Sequence, residues 1–351
     1  MTDLISLLRE HALRYPILTP QDAVKLLYQR AFGCGHFVSD PTISLARLKK
    51  ESTYALPSSA PCEVLGNGWG RLHLGNFTDT ELPLEILNRM FVLSSQHPVD
   101  DFSHFQSSLS ILKTECAQGT FSFSPQDLDK YLSAYAAEGY PAVSHSEIYR
   151  KSYHPSYRVI RTDYFLLLPI IQHLSALLEK KEHVVIAIDG PAASGKTTLS
   201  YLLANLYNAP VIHMDDFFLP PSLRSPERLN EPGGNLHRER FLKEVVPSLS
   251  QNSAFSYGQY DCSIREIRGK QQIPSAALHI VEGSYSHHPA WQDIYDLRIF
   301  LQVDSAVQEH RIRHRNGDEM WQRFHDQWIP MEQKYFEAFN IPAKSHIFLK
   351  I

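Results

Sequence analysis

Apolar positions change their spacing once along this chain, near residue 180. Before that point they recur three and four apart. Leu4, Leu7, Leu8 and Leu13 set the period of a first amphipathic helix. Thr19-Pro20 caps and opens a second over the run Asp22-Ala-Val-Lys-Leu-Leu-Tyr-Gln-Arg-Ala-Phe32, because a threonine followed by proline satisfies free amides and presets φ. The same spacing predicts helices near 42–52, 82–95, 101–117 and 125–138, and a last one over 164–180. That helix ends in the charged cluster Glu179-Lys180-Lys181-Glu182, which marks the expected boundary between residues 1–180, mostly helical, and 181–351.

Beyond the boundary the pattern shortens. His183-Val-Val-Ile-Ala-Ile-Asp189 is a β-branched run with no polar face, as expected for a strand buried on both sides of a parallel sheet. Similar runs occupy 210–213, 278–281, 297–303 and 346–351, with helical periods between them. Strands alternating with helices predict an α/β fold built on a parallel sheet.

Composition narrows the function classes. At 351 residues the chain is long enough for two domains, and 43% hydrophobic with 21% charged residues is ordinary for a folded globular protein. No apolar run approaches the ~20 residues of a membrane helix. Asp3, Arg9 and Glu10 interrupt the first turns, so no secretory signal is expected. A net charge of −4 gives no general pull toward nucleic acid or an anionic membrane. Cys34, Cys62, Cys116 and Cys262 are far apart and form no Cys-x-x-Cys, which points away from a zinc cage or disulfide framework and toward a reducing cytoplasm. Asn76-Phe77-Thr78 matches a glycosylation acceptor and is read as chance in a chain that is not exported.

The chemistry concentrates in the second half. Residues 190–197 read Gly-Pro-Ala-Ala-Ser-Gly-Lys-Thr, a complete G-x-x-x-x-G-K-T between a buried strand and a helix. Gly190 and Gly195 let the backbone curl so that successive N–H groups face phosphates at the positive end of the helix. The expected nucleotide-binding residues are Gly190, Ala193, Ser194, Gly195, Lys196, Thr197 and Thr198. Lys196 would reach the β/γ oxygens, and the Thr197 hydroxyl would ligate Mg²⁺. A nucleoside triphosphate with Mg²⁺ is the expected cofactor. Two adjacent carboxylates, Asp215 and Asp216, follow the next strand, where open α/β sheets bind ligands. One should address the acceptor, while the other serves metal-bound water or supports it.

At this point Gly190-Pro-Ala-Ala-Ser-Gly-Lys-Thr-Thr198, His213-Met-Asp-Asp-Phe-Phe218, Glu231-Pro-Gly-Gly-Asn235, Gln259-Tyr-Asp-Cys262, Val281-Glu-Gly-Ser-Tyr285 and His310-Arg-Ile-Arg-His-Arg-Asn-Gly317 occur in order. Together they resemble the uridine kinase and phosphoribulokinase group of P-loop kinases over residues 183–340. The resemblance implies phosphorylation of a small-molecule hydroxyl by ATP with Mg²⁺, with Asp215 contacting it as base and Tyr260 and Asp261 helping to hold the acceptor. It further implies Glu282 beside the metal, and an arginine lid of Arg311, Arg313 and Arg315. On a helix Arg311 and Arg315 share a face while Arg313 points elsewhere, so the first two are expected to clamp phosphate and Arg313 to contact substrate. Asn235 and His237 stand where related nucleoside kinases carry a second acid, which leaves nucleosides, pantothenate, ribulose phosphate and nicotinamide riboside open. A nucleoside comes first because Phe217, Phe218, Tyr257 and Tyr260 could stack on a base. The Pro- and Gly-rich residues 219–240 read as a loop rather than a helix.

The first half says less. Gly33-Cys34-Gly35-His36 and the four glycines of 66–75 mark turns or close backbone approach. With Glu63, His154, Tyr157 and Arg158 they could line a second polar site, although polar loop residues usually have plainer roles. Three functions compete: a kinase whose first half regulates, oligomerises or channels substrate; an NTP-dependent regulator switching a partner; and a kinase joined to a second enzymatic step.

Overall fold

The computed structural model describes residues 3–35, 38, 40–77, 82–96 and 102–351. His36 and Thr78 lie outside them. The chain divides into two compact units, Met1–Gln172 and His173–Ile351, and the helix Leu168–Leu178 runs across the division.

The first unit contains the helices the spacing predicts: Leu4–Arg14, Pro20–Phe32, Pro41–Ser52, Leu84–Ser95, Phe102–Ala117 and Pro125–Ala137. Thr19 caps the second through a box with Asp22, whose carboxylate accepts from the Thr19 backbone N–H at 3.0 Å and its hydroxyl at 2.7 Å. Leu4, Leu7 and Leu8 are buried, whereas Leu13 is exposed on the opposite side of its helix. The unit is not helical throughout. β1 (Cys62–Gly66), β2 (Trp69–His73) and β3 (Tyr157–Arg161) form an antiparallel sheet in that order. The signal for it is Asn67-Gly68, both at positive φ, which close β1 and β2 in a two-residue turn. Asn-Gly is the favoured pair there because both positions must be left-handed.

The second unit is built on five parallel strands. β4 (Val184–Asp189), β5 (Val211–His213), β8 (Leu278–Glu282), β9 (Leu297–Gln302) and β10 (Ile347–Lys350) lie in the order β10-β9-β4-β8-β5. Every residue of β4 and β8 is buried, His279, Glu282 and Asp189 included, as central strands of a parallel sheet covered on both faces require. β6 (Phe255–Asp261) and β7 (Glu266–Ile273) make a separate antiparallel hairpin. From β4 the chain crosses to β5, returns to β8 beside β4, then passes to β9 on β4's other edge. This reversal opens a crevice at the carboxyl ends of the central strands, where such sheets take their ligands. The unit is therefore an α/β domain of the P-loop type. The segment expected as a loop before residue 240 contains a short helix, Pro226–Asn230, capped by the Ser225 hydroxyl.

Candidate active site

β4 delivers the chain to the crevice, and the loop after it turns back on itself. Gly190, Ala193 and Gly195 take φ of 149°, 57° and 93°. At Gly190 a side chain is excluded twice over, by that dihedral and by the Leu301 carbonyl oxygen, which would lie 2.4 Å from a Cβ. The helix Lys196–Tyr207 starts directly after the loop, with its free amides and positive dipole end toward the curl. Lys196 is buried and donates to the carbonyls of Gly190 at 2.8 Å and Pro191 at 2.9 Å. Thr197 and Thr198 are exposed, while Ser194 is buried.

Carboxylates surround this loop. The Thr197 hydroxyl lies 3.3 and 3.4 Å from the two oxygens of Glu282 at the end of β8. Glu282 also pairs with His213 at 2.5 Å, and that contact raises the His213 pKa. Asp215 sits on the turn after β5 with its side chain open to solvent. Surrounding protein atoms and then the Glu282 charge push its pKa up, against the pull of Lys196. Asp215, Glu282, Lys196 and Thr197 thus belong to one site, at the ends of three neighbouring structural elements. An oxygen pair such as Thr197 with Glu282 suits Mg²⁺, a hard cation.

Asp216 faces a different environment. Its Oδ2 accepts from the Tyr257 hydroxyl at 3.0 Å and its backbone carbonyl from Arg240 at 3.1 Å. Tyr260 is buried with its hydroxyl 3.4 Å from Arg224. Asp261 is engaged at the hairpin tip, accepting from the Ser263 N–H at 2.8 Å and lying 3.6 Å from Arg268. Of the aromatic residues expected to stack on a base, Phe217 and Tyr257 are in the hydrophobic core with Phe241. Burial therefore removes both from that role. Asn235 keeps a buried side-chain oxygen with no hydrogen bond among the described residues.

The helix Ser305–Asn316 lies against the loop through Gln308, which donates to the Ala192 carbonyl at 2.9 Å, and Arg311, which donates to Ala193 at 3.1 Å. Arg313 turns outward to Glu309, Asp318 and the Trp321 ring. Arg315 is exposed and donates to Asn316 at 2.8 Å. Of the three arginines Arg311 alone hydrogen-bonds the loop among the described residues; Arg315, expected beside it on the same helix face, is engaged with Asn316 instead.

Two acids that the sequence reading passed over hold the loop from inside. Asp189 accepts from the N–H groups of Gly190 at 2.7 Å, His287 at 2.9 Å and Tyr285 at 3.2 Å, and from the Tyr335 hydroxyl at 2.9 Å. Complete burial still pushes it up to about 6. Glu332 accepts from the Ala192 N–H at 2.9 Å and the Ser284 hydroxyl at 2.6 Å. Asp189, as the last residue of an apolar strand, was the visible clue. Glu332 lies 140 residues beyond the amide it holds and gave none.

No family model and no curated protein matches the chain. Solved structures do. A possible uridine kinase from Bacillus stearothermophilus is 15% identical, covering 52% of this chain and all of its own, with a TM-score of 0.38. A protein provisionally named a fructose transport system kinase, from Silicibacter sp. TM1040, is 23% identical over 49% of this chain and 95% of its own, TM-score 0.40. A shikimate kinase from Bacteroides thetaiotaomicron is 15% identical over 48% and 85%, TM-score 0.26. At these scores the fold assignment rests on the strand order and loop geometry described above.

Proposed function

We propose that the unit His173–Ile351 transfers the γ-phosphoryl group of ATP to a hydroxyl of a small metabolite, with a nucleoside as the leading acceptor on the motif resemblance. The observation that carries the reading is the meeting of the left-handed loop Gly190–Gly195 with Asp215 and Glu282 at one crevice. A switch needs the loop and the metal residues. A solvent-open carboxylate beside them is what an acceptor hydroxyl requires.

Phosphoryl transfer asks a protein mainly for positioning and for neutralisation of charge on the transferred group. The amides from Ala193 to Thr198 would cradle the phosphates, and Lys196 would leave the Gly190 and Pro191 carbonyls for them. Thr197 and Glu282 would hold Mg²⁺, which screens charge between the phosphates when bound. Asp215 would orient the acceptor hydroxyl and take its proton, a task helped by its raised pKa. Arg311, already at the loop, would face the charge that grows during transfer. Arg315 is a second phosphate contact only if it swings from Asn316. Asp216, Tyr260 and Asp261 would bound the acceptor side, whereas Arg313, turned outward to Glu309 and Asp318, would not reach it.

The test is ATP consumption by the full-length protein with Mg²⁺, across nucleosides, pantothenate, sugar alcohols and sugar phosphates. Strong stimulation by one compound establishes the kinase and names its acceptor. Flat basal hydrolysis across the panel overturns it in favour of a nucleotide-driven regulator.

A further inference from the structure

The first unit buries a connected set of polar side chains that phosphoryl transfer does not use. Asp22 Oδ1 lies 3.0 Å from His145 Nδ1, and His145 Nε2 lies 2.5 Å from the Tyr157 hydroxyl. That hydroxyl also accepts from Gln29 at 3.2 Å. Gln29 in turn accepts two hydrogen bonds from Arg71, at 3.0 and 2.7 Å, and Arg71 donates to Glu63 Oε2 at 3.2 Å. Arg71 is fully buried, with its guanidinium 4.6 Å from the Tyr157 ring centre. Each buried ion costs several kcal/mol in desolvation before its partner offsets it. Such clusters beside a cleft mark functional sites more often than chance.

Two observations point from this network to a ligand. A cleft of about 270 Å³, lined in part by Glu10, His11, Arg14, Glu63 and Val64, meets the network at Glu63. His11 is 2% exposed, yet neither ring nitrogen makes a hydrogen bond; Nδ1 stops 3.6 Å from Glu63 Oε1. His73 Nε2 is likewise without a hydrogen bond, 3.7 Å from Glu63 Oε2. Buried imidazoles left open in this way are uncommon, because an unmet polar group loses its water without gaining a partner.

We propose that this cleft binds a small polyhydroxylated metabolite, a sugar or polyol, through Glu63, with the covered His11 ring behind it. His11 Nδ1 stays 3.6 Å from Glu63 Oε1, longer than a hydrogen bond, so that oxygen keeps the capacity to accept from hydroxyls. The charges favour a neutral ligand: Glu10 and Glu63 in the lining are offset by Arg14 in the lining and Arg71 beside Glu63, so neither a cation nor an anion meets a net opposite charge. Among the described residues no three His, Cys, Asp or Glu side chains are disposed to hold a metal ion. The cleft volume suits a compound the size of a pentose rather than a nucleotide.

The inference stands apart from the kinase reading, and the test keeps them apart. Full-length protein is titrated calorimetrically with ribose, ribitol, sorbitol and inositol at millimolar concentration. One of them should bind saturably, with affinity reduced about tenfold or more in Glu63→Gln. Val64 is 47% exposed at the rim, so Val64→Trp should block the mouth, leave the buried network intact and weaken binding as much. Asp215→Asn, in the other unit, should leave this binding unchanged. No saturable binding by any of the four, equal binding in Val64→Trp, or binding lost in Asp215→Asn instead, would each overturn the proposal.

Discussion

The two units bury ionisable groups in opposite ways. In the first, each buried acid has its partner within the protein. Asp22 is held well below the usual carboxylate range, against its burial, by His145, Ser146 and Thr19. Glu63 is held low, also against burial, chiefly by the charge of Arg71. In the second, burial is the first cause that pushes Asp189, Asp216 and Glu332 upward, and Asp215, open to solvent, is pushed up by the protein atoms around it and by the Glu282 charge. Lys196 pulls three of them back. A cluster of acids around one lysine is short of positive charge until a cation or proton arrives. The first unit has balanced its charges during folding, whereas the second is arranged for a ligand to do so. That contrast separates a preset polar network from a site awaiting a metal-bound nucleotide.

The sharpest way to break the comparison is Lys196→Ala. Removing the one cation shared by the second cluster should cost phosphoryl transfer on the order of 10³-fold or more with folding retained, read as ATP turnover with acceptor and circular dichroism. Unchanged turnover would take the loop out of the mechanism. In the first unit the matching experiment is Arg71→Met, which strands Glu63 without its charge partner. It should destabilise that unit by about 3–5 kcal/mol in denaturant unfolding, while hydrogen exchange over residues 184–207 stays unchanged.

Asp215→Asn against Asp216→Asn sharpens the second unit internally. The first should depress the rate with ATP affinity retained. The second should act chiefly on acceptor KM, because Asp216 is occupied by Tyr257. A larger loss of kcat in Asp216→Asn would reverse the assignment of the base.

Acid should separate the units by sign. His145 is lowered from 6.5 to about 3 by burial. The unfolded chain therefore takes up a proton there before the folded unit does, and stability falls as pH drops from about 6.5 toward 3. Asp189 is raised from 3.8 to about 6, so its contribution is fully present below 3.8 and is lost as pH rises through 6. Peptide-resolved hydrogen exchange should show the first unit opening as pH falls from 7 to 4. Asp189→Asn should flatten the second unit's dependence between pH 4 and 6. The smallest effect expected is Arg313→Ala: its ion pairs are exposed and screened by solvent, and turnover should change by about twofold at most.

Legibility differed between the units for a physical reason. Buried parallel strands are apolar on both faces, so β4, β8 and β9 stood out as runs, and the phosphate loop is a local motif between them. The antiparallel sheet of the first unit carries Arg71 and Glu63 inside a short segment, which hides the strand period. Asn67-Gly68 was its one local sign. The hairpin β6–β7 was similarly masked, since β7 is mostly exposed and polar.

Residues close in sequence determined what depends on local geometry. The curl at Gly190 and Gly195, the Thr19 capping box, and the opposite facing of Arg311 and Arg313 all follow from spacing and dihedral preference. Tertiary structure alone decided which distant groups meet: Glu332 on the amide of Ala192, Tyr257 on Asp216 with its ring in the core, and His11 opposite Glu63. Those contacts depend on how helices and strands pack, and a buried polar side chain carries no mark in the sequence of the partner that packing will give it.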